Sequence, residues 1–388
     1  MPEAPRLRGP GGRPLRVAHL TTVDMSLSLL LATELRHDVE AGFEVFGLST
    51  PGPYVADVTA LGVTHVPLPA LTRAWNPQRD LAAARELATV LRRLDLDVLH
   101  THNPKTGVLG RVLGRLTRVP VVVNTCHGLW IAPADRRVKK VAVIGAEAVA
   151  GRFSHAELYQ NETDRQTMSR WVGGPRQRTV GNGVDLTRFR PDPQARARVR
   201  AERGVADDEL LVGGVGRLVA EKGIAEYAAA ARALAGKARF VWVGMADKDK
   251  PDAVRDLQGG VELLGSRNDM PAVYAALDVF VLPSYREGFS RSGMEAAACR
   301  VASVLSDIRG CREVGRDGES LLLAPPRDAH ALTAAIDRLL TDTSLRERLA
   351  AAALAKATAE FDQRGVADVS IATYAAVARR RGLAWEGL

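Results

Sequence analysis

Short apolar runs alternate with longer segments of helical hydrophobic spacing, and this alternation constrains the fold more than any other feature of the chain. In the first half the strand-like runs are 16–20, 43–48, 98–100, 119–124 and 156–160. The helix-like segments between them are 27–39, 79–94, 105–116, 134–152 and 162–171. Because strands that alternate with helices usually pair in parallel, the pattern predicts an α/β fold with a mainly parallel sheet.

A connector interrupts this series and a second series follows it. The segment 181–193, GNGVDLTRFRPDP, is rich in Gly, Pro and Asp. The next strand-like runs are 210–215, 239–243, 261–264, 279–282, 301–305 and 320–323. The chain closes with helix-like segments at 328–340, 344–359 and 365–380. We therefore expect two Rossmann-like, doubly wound domains, with ligands bound at the carboxyl ends of the strands in a cleft between the domains.

The expected boundaries are a disordered tail over 1–13, a first domain over 14–180, a second over 181–362 and a terminal helical segment over 363–388. The tail has no apolar core, so we expect no secretory signal. No apolar run approaches the ~20 residues that a membrane-spanning helix needs. The cysteines (Cys126, Cys299 and Cys311) are few and lack CxxC spacing, which indicates a reducing cytosol without disulfides or a zinc framework.

The net charge of +8 is concentrated in the first half of the chain. Residues 101–150 hold 8 Lys and Arg against 2 Asp and Glu. Such an excess suits an anionic partner, and we expect an acceptor-binding or membrane-binding patch there; the alternative is a solvated helix face. Nucleic acid is disfavoured because aromatic residues are only 5% of the chain and do not interleave with the cations. The patch comprises Lys105, Arg136, Arg137, Lys139 and Lys140, with Arg111, Arg115 and Arg118 at helical spacing beside it.

The segment 213–223, GGVGRLVAEKG, follows a predicted strand and opens a helix. Its glycines let the backbone approach a phosphate, and the helix N-terminus favours an anion. Arg217 and Lys222 add the full charges that bind a diphosphate. The alternative is a glycine-rich turn with two solvated cations. A dinucleotide site is disfavoured because the third glycine of that fingerprint is missing.

The segment 283–296, PSYREGFSRSGMEA, places two carboxylates around the start of a helix. Glu287 lies in the loop after a predicted strand, and Glu295 follows eight positions later in the helix. One could bind sugar hydroxyls and the other a ribose, with phosphates on the backbone N–H groups between them. The alternatives are an exposed loop acid at Glu287 and a capping box formed by Ser292 and Glu295.

These two motifs together resemble the donor site of the retaining glycosyltransferases of family 4, which have the GT-B fold of two Rossmann-like domains facing a central cleft. The segments HLTTVDMSLSLLLATEL, DVLHTHNPKTGVLGRV and VVVNTCHGLW resemble the bacterial branch that acts on polyprenyl-diphosphate-linked glycans or surface polysaccharides. The resemblance implies transfer from a UDP-sugar to a lipid-linked or saccharide acceptor, without metal or cofactor. It also implies a cytoplasmic protein, peripheral to the inner face of the membrane, whose final helix crosses back to the first domain.

The resemblance also assigns roles by position. Arg217 and Lys222 would hold the diphosphate, Glu287 the transferred sugar and Glu295 the ribose, and His127 would face the reacting centre. The other donor-binding positions are Gly216, Gly244, Gly265, Arg267, Gly288, Phe289 and Ser290. One departure is the first strand–helix loop, where Val23-Asp24-Met25-Ser26 replaces a glycine pair of many family members.

Three rival functions share parts of this pattern. A nucleotide-sugar epimerase has the same architecture but needs an acid/base set in the first domain, where acids near His127 are scarce. The others are a non-catalytic sugar-nucleotide binding protein and an NAD-dependent oxidoreductase. Two Asp-x-Asp pairs imitate a metal site; we expect Asp95 and Asp97 to form a turn and cap, and Asp247 and Asp249 to lie in a charged loop.

Overall fold

A computed structural model of the chain describes residues 7–74, 76–131, 135–245, 254 and 259–388. The chain divides into two compact units. One comprises Met1–Gly181 with Gln363–Leu388, and the other comprises Asn182–Asp362. Each unit holds a parallel sheet flanked by helices, so the α/β class expected from the alternating pattern is confirmed.

In the first unit the strands pair in parallel in the order β3-β2-β1-β4-β5-β6-β7. The strands are β1 (Arg16–Val23), β2 (Glu44–Thr50), β3 (Thr64–Pro67), β4 (Val98–His102), β5 (Val121–Cys126), β6 (Ala156–Tyr159) and β7 (Gln177–Thr179). The edge strands β3 and β7 have little apolar sequence, and the sequence pattern did not predict them.

The helices between these strands are α1 (Asp24–Leu29), α2 (Ala32–Glu40), α3 (Val55–Thr59), α4 (Pro77–Leu94), α5 (Pro104–Leu116), α6 (Arg137–Ala150) and α7 (Glu162–Met168). One helix was expected over 27–39, but the chain forms two, α1 and α2, because the helix breaks after Leu29. Proline opens both α4 and α5, where its missing N–H costs no hydrogen bond.

In the second unit the strand order is β10-β9-β8-β11-β12-β13, again in parallel. These strands are β8 (Leu211–Val215), β9 (Arg239–Val243), β10 (Val261–Leu263), β11 (Val279–Leu282), β12 (Ala302–Ser306) and β13 (Leu322–Ala324). Its helices are α8 (Pro193–Glu202), α9 (Ile224–Ala233), α10 (Met270–Ala276), α11 (Arg291–Ala298), α12 (Arg309–Arg312), α13 (Ala329–Thr341) and α14 (Thr343–Glu360).

The strands form the cores because their side chains are buried on both faces, as in most parallel sheets. In the first unit, Val17 and Val98 face one apolar cluster, while Ala18 and Leu99 face another. The last helix, α15 (Gln363–Arg381), belongs to the first unit, where Tyr374 joins the first of these clusters. No helix in the described residues is long and apolar enough to cross a membrane.

The expected disordered tail over 1–13 is wrong for its second half; residues 1–6 lie outside the described residues. Leu7 is fully buried, and Arg8 pairs with Glu386 as an isolated antiparallel bridge. Arg13 forms an ion pair with Asp97, at 2.6 Å between Nη1 and Oδ2. Two contacts far along the chain therefore fix residues that composition alone marked as disordered.

Candidate active site

Three glycines meet at the carboxyl ends of neighbouring strands in the second unit. Gly216 follows β8, Gly244 follows β9 and Gly265 follows β10. The N–H of Gly244 donates to the carbonyl of Gly265 at 2.8 Å. Gly244 has φ +144°, and a Cβ placed there would lie 2.0 Å from the carbonyl oxygen of Gly216. A side chain at Gly244 would therefore push apart the strand ends that the sequence assigned to the donor phosphates.

Lys222 and Glu287 form an ion pair beside these strand ends. The distance between Lys222 Nζ and Glu287 Oε1 is 2.6 Å, and the two side chains are 19% and 14% exposed. The chain reaches this geometry through Gly223, which has φ +67° and packs so closely on Pro283 that a Cβ would lie 2.0 Å from its carbonyl oxygen. The lysine stem also packs against Gly216. Residues 65 positions apart are thus joined in one half-buried pair.

Helix α11 begins beside Glu287. Its N-cap is Ser290, whose hydroxyl accepts from the N–H of Gly293 at 3.1 Å. The capping box considered for Ser292 and Glu295 is therefore wrong, because the N-cap is Ser290, two residues before Ser292. Phe289 is buried and meets Phe361 edge to face at 5.7 Å between ring centroids, which anchors the loop that carries Glu287 and Gly288.

Glu295 lies one turn into α11 and is held by two side chains. Its Oε2 accepts from the hydroxyl of Tyr274 at 2.9 Å, and its Oε1 accepts from Nε of Arg291 at 3.2 Å. Burial raises the pKa of Glu295 above its ordinary value, against the opposing effect of Arg291. Glu295 is thus a fixed hydrogen-bonding group rather than a solvated acid.

The two arginines expected at the site differ in their surroundings. Arg217 follows Gly216, and its side chain is exposed. Arg267 is held by two carboxylates, Asp269 at 2.8 Å and Glu202 at 2.9 Å, and these hydrogen bonds raise its pKa. Arg267 follows Gly265 near the end of β10, where the base was expected, but its guanidinium already pairs with acids.

His127, the expected first-unit residue, belongs to a row of hydrogen-bonded side chains. Its Nε2 lies 2.9 Å from Nδ1 of His102, and its Nδ1 lies 2.9 Å from Nε2 of Gln160. His102 Nε2 is 3.1 Å from Nδ1 of His19, whose Nε2 is 2.8 Å from Oδ2 of Asp38. Burial lowers the pKa of His127 to about 4, so this imidazole is neutral at physiological pH.

His100 lies beside this row and raises the question of a metal. The ring nitrogens of His19, His100 and His102 include three atoms within 4.8 Å of one another. His100, however, is already bonded on both nitrogens, to Tyr374 at 2.7 Å and to Thr125 at 2.7 Å. Since both nitrogens of His19 and His102 are also occupied, hydrogen bonding satisfies all three rings without an ion.

The first strand–helix loop is built around an acid. Asp24 opens α1, and its carboxylate accepts from the N–H of Met25 at 2.8 Å and of Tyr54 at 2.7 Å. The loop after β1, Val23-Asp24-Met25-Ser26, is thus hydrogen-bonded to the segment after β2.

The two Asp-x-Asp pairs have different outcomes. Asp97 is structural, as expected, because it accepts from Arg13 and from the N–H of Arg16 at 2.8 Å. Asp95 ends α4 in the left-handed conformation, with φ +46°, which agrees with the expected turn. Asp247 and Asp249 lie outside the described residues, so their expected place in a charged loop stays a prediction.

Comparison with known proteins decides the family. The model described as "Glycosyl transferases group 1" matches residues 209–342, and the "Glycosyl transferase 4-like domain" matches residues 28–183. A D-inositol 3-phosphate glycosyltransferase of Xylanimonas cellulosilytica is 31% identical over 308 residues, which cover 74% of this chain and 73% of that protein. This chain is a family-4 glycosyltransferase. The matched region 28–183 contains most of the histidine row, and the matched region 209–342 contains the Lys222–Glu287 pair.

Other relatives of this glycosyltransferase extend over most of its length. The N,N'-diacetylbacillosaminyl-diphospho-undecaprenol alpha-1,3-N-acetylgalactosaminyltransferase of Campylobacter jejuni is 28% identical over 343 residues, covering 85% of this chain and 90% of that protein. Among solved structures, HepE of Anabaena in complex with UDP superposes with a TM-score of 0.77 at 19% identity, over 94% of this chain and 100% of that one. The expected GT-B fold is thereby confirmed.

The basic patch of the glycosyltransferase differs from its expected form. Lys105 is buried, where its ammonium donates to the carbonyls of Thr72 at 2.9 Å and Ala74 at 2.8 Å and pairs with Asp80. Arg111 is also buried, and it pairs with Glu157 at 2.9 Å. Neither side chain is available to an external anion, so the expectation for Lys105 is wrong. The contacts of Lys105 instead join α5 to α4 and to the loop before α4.

Four members of the expected patch remain, all at the start of α6. Arg136 and Arg137 are exposed, and Lys139 pairs with Asp135 at 2.8 Å while lying 4.7 Å from the ring centroid of Trp130. Lys140 is half-buried. These four cations form a compact group at one helix end, while Arg115 on α5 and Arg118 just after it are also exposed.

Several residues of these sites were missed in the sequence. Tyr274 and Arg291 support Glu295, while Asp38, His19, His102 and Gln160 form the row that ends at His127. The sequence did contain one signal for the histidine cluster: His100 and His102 are two positions apart on β4, and a strand places such residues on the same face. The others come together only through the order of the strands.

Proposed function

We propose that this glycosyltransferase moves a sugar from a UDP-sugar to a lipid-linked or cell-surface saccharide acceptor with retention of anomeric configuration. The observation that carries the proposal is the half-buried Lys222–Glu287 pair beside the N-terminus of α11 and the glycine strand ends. The names of two relatives support the donor and acceptor classes. One is a UDP-Gal:alpha-D-GlcNAc-diphosphoundecaprenol alpha-1,3-galactosyltransferase, 30% identical over 255 residues, and the other is the UDP-bound HepE.

The ion pair is suited to exchange partners when a nucleotide-sugar arrives. Lys222 would turn to the diphosphate, for which it offers a full positive charge. Glu287 would then accept hydrogen bonds from hydroxyls of the transferred sugar. Because the pair neutralises itself without a ligand, neither group stays buried without a counter-charge. Glu295, fixed by Tyr274, would receive the ribose.

The departing diphosphate gathers negative charge as the sugar becomes oxocarbenium-like. Lys222, Arg217 and the N–H groups at the start of α11 would stabilise that charge, the role that a divalent cation takes in other sites. The acceptor hydroxyl would attack from the face that the diphosphate leaves, and a phosphate oxygen would take its proton. The proposal therefore needs neither a metal nor a dedicated protein base.

Product analysis tests the proposed reaction. Purified protein is incubated with UDP-sugars, with and without polyprenyl-diphosphate-linked glycans, and products are followed by mass spectrometry and NMR. The expected result is acceptor-dependent UDP release and an axial-to-axial or equatorial-to-equatorial transfer. An epimerised nucleotide-sugar formed without acceptor, or no turnover with any acceptor, would contradict the proposal. Lys237→Ala is expected to give the same products as the wild type, since Lys237 pairs with Asp337 at 2.7 Å outside the site.

We place membrane contact of the proposed transferase on α6. Within α6, all of whose residues are described, only Ala150 is buried. Val138, Val141 and Val149 are 80%, 71% and 56% exposed, and helical spacing puts them on one face. With Arg136 and Arg137 at its start, the helix combines an apolar stripe with cations, which is the composition of a helix that lies in a membrane interface. A lipid-linked acceptor requires such a surface position.

Vesicle sedimentation tests this placement. The wild type is expected to bind vesicles with anionic lipid more tightly than neutral ones, since each cation near the surface contributes ~1 kcal/mol. Val138→Ser with Val141→Ser is expected to weaken binding about fivefold through lost apolar contact. Leu81→Ser is the control, because Leu81 is 52% exposed on α4. Equal binding of the wild type to anionic and neutral vesicles would contradict membrane contact through α6. An equal loss of binding in Leu81→Ser and in the double valine variant would contradict it as well.

A further inference from the structure

The hydrogen-bonded row that contains His127 runs from Asp38 to Gln160 and crosses four adjacent strands of the first unit. His19 belongs to β1 and His102 to β4, while His127 and Gln160 follow β5 and β6. These strands lie side by side in the order β1-β4-β5-β6. The row is therefore a product of the sheet, and its far end is Asp38 on α2. Of this row, only His127 was expected from the sequence to face the reacting centre.

The ends of the row fix the position of every proton in it. The Gln160 amide nitrogen can only donate, so Nδ1 of His127 accepts. The proton of His127 then lies on Nε2 and is donated to Nδ1 of His102. By the same reasoning His102 donates from Nε2 to His19, and His19 donates from Nε2 to the Asp38 carboxylate. In the row without an added proton, each of the three imidazoles is thus neutral and carries its proton on Nε2.

Burial keeps the row uncharged except at its far end. His19, His102 and Asp38 are fully buried. Burial lowers the pKa of His102 well below its ordinary value, as it does for His127. Burial alone would also lower the pKa of His19, but the hydrogen bond and charge of Asp38 raise it above its ordinary value. The first proton that the row takes up therefore goes to His19.

That proton would reverse the direction of both hydrogen bonds between the imidazoles. A charged His19 carries hydrogen on Nδ1 and must donate to Nε2 of His102. His102 then holds its proton on Nδ1 and donates to Nε2 of His127. His127 is left with its proton on Nδ1, facing the amide hydrogens of Gln160. Each imidazole beyond His19 stays neutral, so a single added proton at the far end changes the tautomer at the near end.

We infer that Asp38, His19, His102 and Gln160 are positioning residues that hold His127 neutral and in its Nε2–H form during sugar transfer. The inference rests on the proposed function and on the place at the reacting centre that the family resemblance implies for His127. A positive imidazolium there would repel the developing oxocarbenium charge, whereas a neutral ring in a fixed orientation does not. The other ionisable or hydrogen-bonding groups that face the row are Glu34 from α2, His100 from β4, and Ser370 and Tyr374 from α15.

NMR of the histidine ring nitrogens tests the row without reference to activity. The chain has 8 histidines, so selective labelling gives few signals, and His127→Gln identifies one of them. The expected result at pH 7.5 is an Nε2–H tautomer for His19, His102 and His127. A His127 that is charged or carries its proton on Nδ1 would overturn the inference. Gln160→Glu, which can only accept, is expected to switch His127 to the Nδ1–H form.

The pH profile of turnover tests the link to the reaction. Asp38→Asn keeps an acceptor for His19 but removes the charge that raises its proton affinity. The acid limb of kcat is expected to move down by about one pH unit or more, a tenfold change in proton affinity. The control is His37→Gln, because His37 pairs with Asp368 at 2.7 Å outside the row. The limb of this control is expected to stay in place.

Each outcome identifies what failed. An unchanged acid limb in a folded Asp38→Asn protein would overturn the positioning role. If Asp38→Asn does not fold, Gln160→Glu takes its place, with a tenfold fall in kcat expected and an unchanged kcat contradicting the inference. Absence of any transfer by the wild type would instead overturn the proposed function. In that case the tautomers measured by NMR would still decide whether the row is ordered as assigned.

Discussion

The two units present opposite electrostatics at the carboxyl ends of similar sheets. In the second unit, Lys222 and Glu287 carry full charges, are half-buried and are joined in one pair. In the first unit, His102 and His127 are neutral imidazoles linked in a row whose charge lies far away, at Asp38. The first arrangement can exchange its partners for a charged ligand, whereas the second keeps charge away from the end of the row.

This difference matches the two halves of the proposed reaction. A departing diphosphate becomes more negative and is stabilised by cations that can leave a carboxylate to meet it. A sugar ring that becomes positive is best faced by groups that stay uncharged. The same strand-and-helix frame therefore provides two different electrostatic environments, because the residues at its strand ends differ.

The largest effect is expected from removing the exchangeable cation. Lys222→Ala should lower kcat by about a hundredfold, ~2.7 kcal/mol of barrier, because the diphosphate loses a full charge and Glu287 loses its partner. Steady-state kinetics with a UDP-sugar and acceptor measures this. Lys237→Ala, which breaks the exposed pair with Asp337, should keep the wild-type rate. Similar rates in the two variants would remove Lys222 from the site.

A smaller effect is expected from distorting the strand ends without changing any charge. Gly244→Ala places a Cβ 2.0 Å from the carbonyl oxygen of Gly216 and should destabilise the protein by about 2 kcal/mol. Gly145→Ala is the control, since Gly145 lies in α6 with open space around it, and it should stabilise by about 0.5 kcal/mol. Thermal unfolding measures both. A stable Gly244→Ala protein would contradict the close approach of β8 and β9.

A selective loss of donor binding is expected from neutralising Glu295. Glu295→Gln can still accept from Tyr274, so the fold should persist, but a ribose would lose a charge-assisted hydrogen bond. We expect KM for the donor to rise about tenfold, ~1.4 kcal/mol, with kcat nearly unchanged. Initial rates at varied donor concentration check this. A fall in kcat at constant KM would place Glu295 at the reacting centre instead.

The pH dependence of stability provides a test confined to the first unit. The pKa of His127 is about 4 in the folded protein and near 6.5 when unfolded, so the unfolded chain binds more protons between these values. Stability should therefore fall as pH drops through that window, by up to ~1.4 kcal/mol per pH unit from this group. The raised pKa of His19 has the opposite effect, because protonation of His19 stabilises the folded protein as pH falls through the titration range of that group. Urea unfolding of the wild type and His127→Gln at pH 7.5 and pH 5 should show a shallower pH dependence in the variant.

The two sites also differ in how far sequence predicted them. Lys222 and Glu287 lie in short motifs whose glycines and charges favour a phosphate site, although the ion pair between these two side chains was not predicted. His19, Asp38 and Gln160 are each indistinguishable in sequence from ordinary core residues. They become a row only because β1, β4, β5 and β6 are neighbours in the sheet, and strand order is a property of the tertiary fold.

Charge counting failed where pairing partners lie far along the chain. Arg111 counts toward the basic segment, but it is neutralised by Glu157, 46 positions later. Lys105 is buried by the loop before α4. In the same way, the tail was expected to be disordered because its contacts with Asp97 and Glu386 cannot be foreseen from its own composition. Regional composition is therefore a poor guide to which charges are available at the surface and which segments are ordered.

The most direct test of the central claim, that Lys222 and Glu287 form a nucleotide-sugar site, is a thermal-shift titration with UDP, GDP, ADP and NAD. At a hundredfold excess over the dissociation constant, UDP should stabilise the wild type by ~2.7 kcal/mol. The same titration of Lys222→Ala should give little stabilisation, while Lys237→Ala should respond as the wild type does. Equal stabilisation of Lys222→Ala by UDP, or a response to NAD alone, would contradict the account.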